Sequence, residues 1–235
     1  MIETDARCPE KLLTFVGHGN PAAPCWFLGM EEGIDERTMR LEENINVRSQ
    51  HFTPIMDLHE SVRLLGCPIT RTSRPPTSTW PWMAKILRGL VERAENWPDP
   101  AEARRFIVER LGKIDGGAFI AELLPLPKQS DAAWPALYSR WWPTREEYER
   151  EVLPQRIAFL QQQMATYTPR WVIAHGKRHH DAYRRLFPEY QWTAKGRLEV
   201  GRSSSSHTLV ALAPFFGNGQ FGVSDAALLI ESFAK

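Results

Sequence analysis

Four short apolar runs, separated by longer segments with helical patterns, constrain the fold of this chain most strongly. The runs lie at 25–29, 118–124, 171–175 and 208–213. Each is apolar along its length without polar alternation, which is typical of parallel strands covered by helices on both faces. Strand and helix patterns follow one another, so the sequence predicts an α/β fold. We expect a three-layer α/β/α sandwich around a central, mostly parallel four-stranded sheet.

Residues that favour helix ends place helices between the runs. Asp57 and Glu60 have the spacing of a capping box, and Asp99 before Pro100 is typical of a helix start. Helices are predicted over 57–66, 80–97, 99–112, 144–167, 179–187 and 224–233. The chain has 235 residues with no repeat and no long linker. A single domain over 1–235 is therefore predicted.

The composition argues against several classes of protein. A hydrophobic content of 43% and a net charge of +1 are those of a soluble globular protein. No apolar run is long enough to span a bilayer, and no signal peptide is recognisable, so we expect a cytoplasmic protein without a membrane partner. Cys8, Cys25 and Cys67 are scattered and form no CxxC pair, which predicts reduced thiols and no metal site or other cofactor. We also expect a monomer.

Polar residues follow the predicted strands at the points where these strands end. In an open α/β sheet, ligands bind outside the carboxyl ends of the strands. Glu31 and Glu32 follow the first run, although glutamate is not a residue that turns favour. The residues at the other three ends are Glu122, His175-Gly176-Lys177 and the loop 214–220. The sequence therefore predicts one pocket lined by carboxylates, a histidine and a glycine-rich loop.

The charges are unevenly distributed along the chain. Residues 66–90 and 176–185 are basic, whereas residues 31–44 are acidic. Basic patches around carboxylates favour an enzyme that binds a polyanion, although solvated helix faces remain the alternative interpretation. The predicted phosphate contacts are Arg71, Arg74, Lys177 and Arg178.

Three motifs, "FLGMEEG", "FIAELLPLP" and "LAPFFGNGQFG", resemble the uracil-DNA glycosylase superfamily, and the resemblance runs from Gly17 onward. In that family the loop after the first strand carries the residue that activates or positions water. Glu31 occupies this position, and Glu32 stands where proline is usual. A middle strand of the family ends in an asparagine that reads the base, and Glu122 stands there. The histidine of the family's last motif is absent.

The resemblance implies a DNA glycosylase that breaks an N-glycosidic bond and lacks lyase activity, with DNA as its partner. Cleavage passes through a sugar with oxocarbenium character, which a carboxylate stabilises while it orients or deprotonates water. Glu31 is the first catalytic candidate and Glu32 the second. An exposed acidic turn is the alternative interpretation. Three scattered cysteines exclude the iron–sulfur cluster of some branches.

Glu122 in place of asparagine points to a different base. A protonated glutamic acid offers its O–H to N3 and its C=O to the amino group of cytosine, whereas asparagine complements uracil. Gly33 stands where strict uracil enzymes carry a tyrosine, and glycine opens space beside C5. We therefore expect a C5-modified cytosine, for example the glucosylated hydroxymethylcytosine of phage DNA, and hence a role in antiviral defence. A catalytic role or a salt bridge with an arginine are the alternatives for Glu122.

Base extrusion requires side chains that fill the base stack and contact the flanking phosphates. The predicted base-binding residues are Gly29, Met30, Gly33, Phe52, Glu122, His175, Phe216 and Asn218. The predicted DNA contacts also include Phe215, Gly217, Gly219 and Gln220. The phenylalanines have a plain alternative role in covering the sheet. A catalytically inert DNA- or protein-binding member of the same fold also remains open, as does an unrelated α/β hydrolase acting on a small nucleotide.

Overall fold

The chain forms an α/β fold, as the apolar runs predict. The structure, a computed structural model, describes residues 8–67, 78–93, 99–130 and 134–234. Its elements are α1 Cys8–Leu13, β1 Gly17–Gly19, β2 Cys25–Gly29, α2 Leu41–His51, β3 Ile55–Met56, α3 Leu58–Leu64, α4 Trp80–Leu87, a π-helix Arg88–Glu92, α5 Pro100–Glu109, β4 Ala118–Glu122, a 3₁₀ turn Tyr138–Arg140, α6 Arg145–Tyr167, β5 Trp171–His175, a 3₁₀ turn Lys177–His179, α7 His180–Arg184, β6 Gln191–Lys195, β7 Leu198–Ser203, β8 Ser206–Ala213 and α8 Val223–Ala234.

The prediction of a four-stranded sheet is wrong, because the described strands form one mixed sheet of eight. Their order is β3-β1-β4-β2-β5-β8-β7-β6. The four predicted strands are the parallel centre, β4-β2-β5-β8. On one side β1 pairs antiparallel with β4 and parallel with β3. On the other side β7 pairs antiparallel with β8, and β6 with β7.

The additional strands lack the apolar runs that identify the central ones. β1 consists of Gly17, His18 and Gly19, and β3 has two residues. β6 is polar and mostly exposed at the edge of the sheet. In β7 the buried Leu198 and Val200 alternate with Glu199, a weak strand signal that the sequence analysis did not use.

Helices cover both faces of the sheet and produce three layers. Successive strand residues point to opposite faces, so Trp26 and Leu28 face one side while Cys25 and Phe27 face the other. The first side packs against α1, α2, α6 and α7. The second side packs against α3, α4, α5 and α8. In the part of the chain that the structure describes, no helix is both long and apolar enough to cross a membrane.

The predicted helix starts are confirmed where the structure describes them. Asp57 accepts hydrogen bonds from the backbone of His59 and Glu60. Asp99 caps α5 in the same way. Thr144 opens α6 with a capping box, and α6 continues through Pro154 to Tyr167. The helix predicted over 80–97 becomes a π-helix that ends at Glu92, and residues 94–98 lie outside the described part of the chain.

Arg156 of α6 fixes the carboxyl end of β4. Its side chain is buried, and its three nitrogens donate to the carbonyl oxygens of Leu13 at 2.8 Å, Glu122 at 3.0 Å and Leu123 at 3.2 Å. Burial lowers the pKa of the guanidinium to about 10, against the raising effect of Tyr148 and Glu122. The guanidinium therefore joins α6 to α1 and to the last residue of β4, where Glu122 stands.

Replacing Arg156 with leucine leaves three buried carbonyl oxygens without their donor. We expect Arg156→Leu to lower the free energy of unfolding by about 2–4 kcal/mol, measured by urea denaturation. Arg150→Leu, on the exposed side of the same helix, is the matched control and should change it by less than about 0.5 kcal/mol. Equal denaturation midpoints for the two variants would contradict the role of Arg156.

Candidate active site

The carboxyl end of β2 is the topological switch point of the sheet. From β2 the chain continues to β4 on one side and later to β5 on the other. Such a point opens a crevice at which ligands bind in open α/β sheets. Gly29 ends β2, and Met30, Glu31 and Glu32 follow it directly. The sequence therefore places its paired carboxylates beside this crevice.

Strand register aligns polar side chains across this edge of the sheet. Gly29 pairs with Glu122, and His175 is the last residue of β5, next to β2. His18 of β1 pairs with Ile120, two residues before Glu122. Paired residues point to the same face, so all of these residues face the side covered by α3, α4, α5 and α8. His18, Glu122 and His175 are called the polar row below.

Glu122 lies directly against the backbone of Gly29. A Cβ atom on Gly29 would stand 2.1 Å from Oε2 of Glu122, so any larger residue would displace the carboxyl group. Oε2 is buried and has no hydrogen-bond partner among the described residues. Burial raises the pKa of Glu122 well above its usual value, and the charges of Glu32 and Glu31 raise it further. The neutral, protonated carboxyl is thus strongly favoured.

Glu32 has the opposite electrostatic environment. Burial alone would raise its pKa, but the charge and hydrogen bond of Arg48, together with His18, hold it below the usual value. The Oε1 of Glu32 lies 2.8 Å from Nη2 of Arg48, whose Nε donates to Asn44 at 2.6 Å. The side chain of Glu32 remains 29% exposed. A solvent-accessible carboxylate thus lies beside a neutral carboxyl group, a combination that separates base and acid roles.

Glu31 is held in a buried ion pair. Its Oε2 lies 2.6 Å from Nζ of Lys128, and both side chains are 3% exposed. Arg145 of α6 adds a contact at 3.4 Å. The two loops also share backbone hydrogen bonds, because Lys128 donates to Glu32 and Ile34 donates to Lys128. Glu31 therefore fixes the loop after β2 against the loop after β4.

His175 is the member of the polar row on β5, so it lies on the opposite side of Gly29 from Glu122. Its ring is buried and stacks on Phe216 at 4.5 Å between ring centroids and 15° between ring planes. Neither ring nitrogen has a hydrogen-bond partner within the described ranges. Burial and the neighbouring His179 lower its pKa to about 4, so the ring is neutral at physiological pH. Buried polar atoms without partners are rare in folded proteins, and here they lie at the carboxyl end of β5 beside β2.

His18 is a member of this site that the sequence analysis missed. Its ring is 6% exposed and packs between Phe15 and Phe52, with centroids 4.9 and 6.2 Å away. Its Nε2 has no partner in the described chain. Burial lowers its pKa to about 4, although the charge of Glu32 raises it. A histidine between two glycines gives no local signal of this position, because only the pairing of β1 with β4 creates it.

The predicted base-binding residues fall into two groups. Phe52 is buried against His18 and beneath the guanidinium of Arg48, so it lies at the site. Gly33 is exposed, and a Cβ there would meet no atom within 4 Å. Met30, in contrast, packs into the core on the opposite face of the sheet. Phe216 is 1% exposed and supports the His175 ring, which agrees with its alternative role in covering the sheet.

The predicted DNA-contacting loop after β8 ends in a tight turn. Gln220 donates its backbone N–H to Gly217, while Asn218 and Gly219 have positive φ angles of 55° and 69°. These angles match a type I′ turn, for which Asn-Gly is the preferred pair. Asn218, Gly219 and Gln220 are exposed, whereas Gly217 is buried beside the ring of Phe215.

Two of the four predicted phosphate contacts can be placed. Lys177 and Arg178 are exposed on the 3₁₀ turn directly after β5. Arg71 and Arg74 lie outside the described residues. Within the described ranges, no three His, Cys, Asp or Glu side chains are grouped to hold a metal ion. Two grooves of about 580 and 490 Å³ lie along β6, β7 and the amino end of β8 and do not include the polar row.

Comparison with known proteins adds no assignment. No protein-family model matches the chain, and no curated protein matches its sequence. Function must therefore be argued from the site itself.

The raised pKa of Glu122 makes stability depend on pH. Above about pH 4.5 the unfolded chain loses the proton that the folded protein retains, so the contribution of Glu122 to stability falls as pH rises toward the folded pKa, while the lowered pKa values of His18 and His175 act in the opposite direction. We expect Glu122→Gln, which cannot ionise, to match the wild type near pH 4 and to exceed its free energy of unfolding near pH 7. Urea denaturation across this range measures the effect. Glu60→Gln, on the exposed side of α3, should show no such increase relative to the wild type, and a difference between Glu122→Gln and the wild type that stays constant from pH 4 to pH 7 would contradict a neutral Glu122.

Proposed function

We propose that this protein is a DNA glycosylase that hydrolyses the N-glycosidic bond of a flipped, C5-modified cytosine and leaves an abasic site. The observation that carries this proposal is the buried Oε2 of Glu122, which has no hydrogen-bond partner in the described chain and whose surroundings raise the pKa of the carboxyl, whereas Arg48 lowers the pKa of the nearby Glu32. Both lie at the switch point of the sheet. The resemblance of three motifs to the uracil-DNA glycosylase superfamily, and a fold of that type, belong to the same proposal.

The protonated Glu122 explains the choice of base. Its O–H donates to N3 of cytosine, and its C=O accepts from the exocyclic amino group. Uracil presents an N3–H donor and an O4 acceptor at these positions, so it pairs only when the proton of Glu122 lies on the other carboxyl oxygen, and the oxygen that carries the proton selects the base. The contact of the carboxyl with Gly29 fixes its direction, since the main chain of β2 lies directly behind it.

The two carboxyl groups divide the reaction between them. As the C1′–N1 bond breaks, its electron pair passes to the base, and the proton of Glu122 moves onto N3. The oxygen of a water molecule forms the new bond to C1′, and its proton passes to Glu32. Proton exchange with solvent then restores Glu32 and Glu122, so that one water is consumed for each base released. The anion of Glu32 also stabilises the positive charge that develops on the sugar.

Glu31 takes a positioning role in this mechanism, which reverses the order of the two catalytic candidates from the sequence. Its carboxylate is engaged by Lys128 and Arg145 and is 3% exposed, whereas Glu32 is 29% exposed. His175 lies across Gly29 from Glu122, and its neutral ring offers a donor to the departing base. In this mechanism the exposed Lys177 and Arg178 and the exposed turn at Asn218 bind the DNA backbone, because they follow the carboxyl ends of β5 and β8.

Release of the base gives a direct test of the carboxylates. Duplexes carrying cytosine, uracil, hydroxymethylcytosine or its glucosylated form are incubated with protein and cleaved with alkali at abasic sites. We expect breaks only with a modified cytosine, and Glu32→Gln should lower the single-turnover rate by about 100-fold or more. Glu122→Gln presents an amide, which complements uracil as the asparagine of the family does, so it should lower the rate on the modified cytosine, and Glu122→Ala should lower this rate further.

The Glu31 control requires a paired change, because Glu31→Gln alone removes the carboxylate that balances the buried charge of Lys128. The double variant Glu31→Gln/Lys128→Met removes both charges, and its rate should exceed that of Glu32→Gln by at least about tenfold. Equal losses would return the catalytic role to Glu31. Excision of uracil but of no cytosine derivative would refute the assignment of the base.

Gly33 provides a separate test of the C5 substituent. Open space surrounds this position, so Gly33→Phe should fold with an unchanged melting temperature. We expect it to slow excision of a glucosylated base by about tenfold more than excision of unglucosylated hydroxymethylcytosine, because the ring occupies the space beside C5. The ratio of the two single-turnover rates is the measurement, and an unchanged ratio would place the substituent elsewhere.

A catalytically inert binding protein of the same fold is the second candidate. The exposed Lys177 and Arg178 and the exposed amides of the last loop favour it, because these contacts require no chemistry. A gel shift that weakens with salt, without strand breaks on any of the four duplexes, would select this alternative.

A further inference from the structure

We propose that His18 is a further catalytic residue, whose Nε2 binds the attacking water together with Glu32. This inference rests on the proposed glycosylase function and adds a group that none of the three motifs contains. The supporting observations are its position on the sheet, its unsatisfied nitrogen and the charges around it.

Its position brings His18 to the reacting groups. In the antiparallel pair of β1 and β4, His18 lies opposite Ile120 and diagonal to Glu122 on the same face. Diagonal residues of such a pair are about 7–8 Å apart, a distance that one small molecule can bridge. The diagonal also runs toward the carboxyl edge of β4, where Gly29 and Glu122 meet.

The buried nitrogen indicates a polar role for the ring. Phe15 and Phe52 hold the imidazole in an aromatic setting, and a phenyl ring would have the same apolar contacts. The Nε2 is nevertheless buried without a hydrogen-bond partner in the described chain, which is unfavourable in a folded protein. A ligand atom at this position removes the penalty. Packing alone would not favour histidine over phenylalanine.

The charged groups facing His18 identify that ligand as water. Among the charged groups, Glu32 has the largest effect on the pKa of the ring, Arg48 opposes it, and Asp57 of the α3 cap adds a weaker effect. Arg48 is already paired with Glu32, so the ring faces a carboxylate whose charge is partly balanced. A neutral imidazole can accept one hydrogen bond from a water molecule that donates its other hydrogen to Glu32. Two fixed acceptors orient the lone pair of that water toward the sugar.

The experiment compares His18→Phe and His18→Gln with the wild type on duplexes carrying a modified cytosine. His18→Phe should lower the single-turnover rate by roughly 10- to 100-fold, leave DNA affinity unchanged and keep or raise the melting temperature. His18→Gln retains a polar atom near Nε2 and should recover part of the rate. His51→Gln, at the exposed end of α2, is the matched control and should behave as the wild type.

Two results would overturn the role of His18. One is a wild-type rate in His18→Phe. The other is a rate loss that is accompanied by a lower melting temperature and is not recovered in His18→Gln, because this would indicate packing alone. If the wild-type protein releases no base, the glycosylase proposal fails separately. The ¹⁵N signal of Nε2 on addition of a duplex with a tetrahydrofuran abasic site then decides whether His18 contacts the site at all, and an unchanged signal refutes the contact.

Discussion

The contact between the carboxyl group of Glu122 and the bare backbone of Gly29 determines the rest of the site. It buries an ionisable group where no hydrogen-bond donor faces Oε2 in the described chain, and this burial raises the pKa of the carboxyl. It also requires that β4 keep its register with β2, because a shift of one residue would turn Glu122 to the opposite face. Arg156 secures this register from one side of the sheet by binding the main chain at Glu122 and Leu123.

The polar side chains near the carboxyl ends of β2 and β4 differ in how many of their polar atoms have hydrogen-bond or ion-pair partners. Arg156 has three carbonyl acceptors, and Glu31 is paired with Lys128 and Arg145. The polar row, in contrast, leaves several buried nitrogen and oxygen atoms without partners in the described chain. Such an arrangement is unfavourable for the empty protein and favourable once a ligand supplies the missing bonds. Stability and ligand binding thus make opposite demands on the same few side chains.

The sequence predicts the centre of this fold because local patterns determine it. Apolar strands without alternation identify β2, β4, β5 and β8. The residues at or just after the ends of these strands include Glu31, Glu32, Glu122 and His175. The edge strands depend on pairing between distant segments, and a strand such as Gly17–Gly19 has no local pattern of its own. The ion pair of Glu31 with Lys128 and the position of His18 arise only from this pairing. For that reason the sequence ranks Glu31 above Glu32 and omits His18.

The polar strand β6 has a further consequence for how copies of the protein behave together. A sheet edge offers unpaired N–H and C=O groups, and two such edges can join into a continuous intermolecular sheet. β6 is mostly exposed, short and free of aliphatic side chains larger than alanine, and it ends in Lys195. A lysine at an edge disfavours the approach of a second edge, because its charge would lose solvent. The polar residues of β6 therefore disfavour edge-to-edge association of copies of the protein at high concentration. The same polar composition explains why the sequence pattern does not predict β6 as a strand.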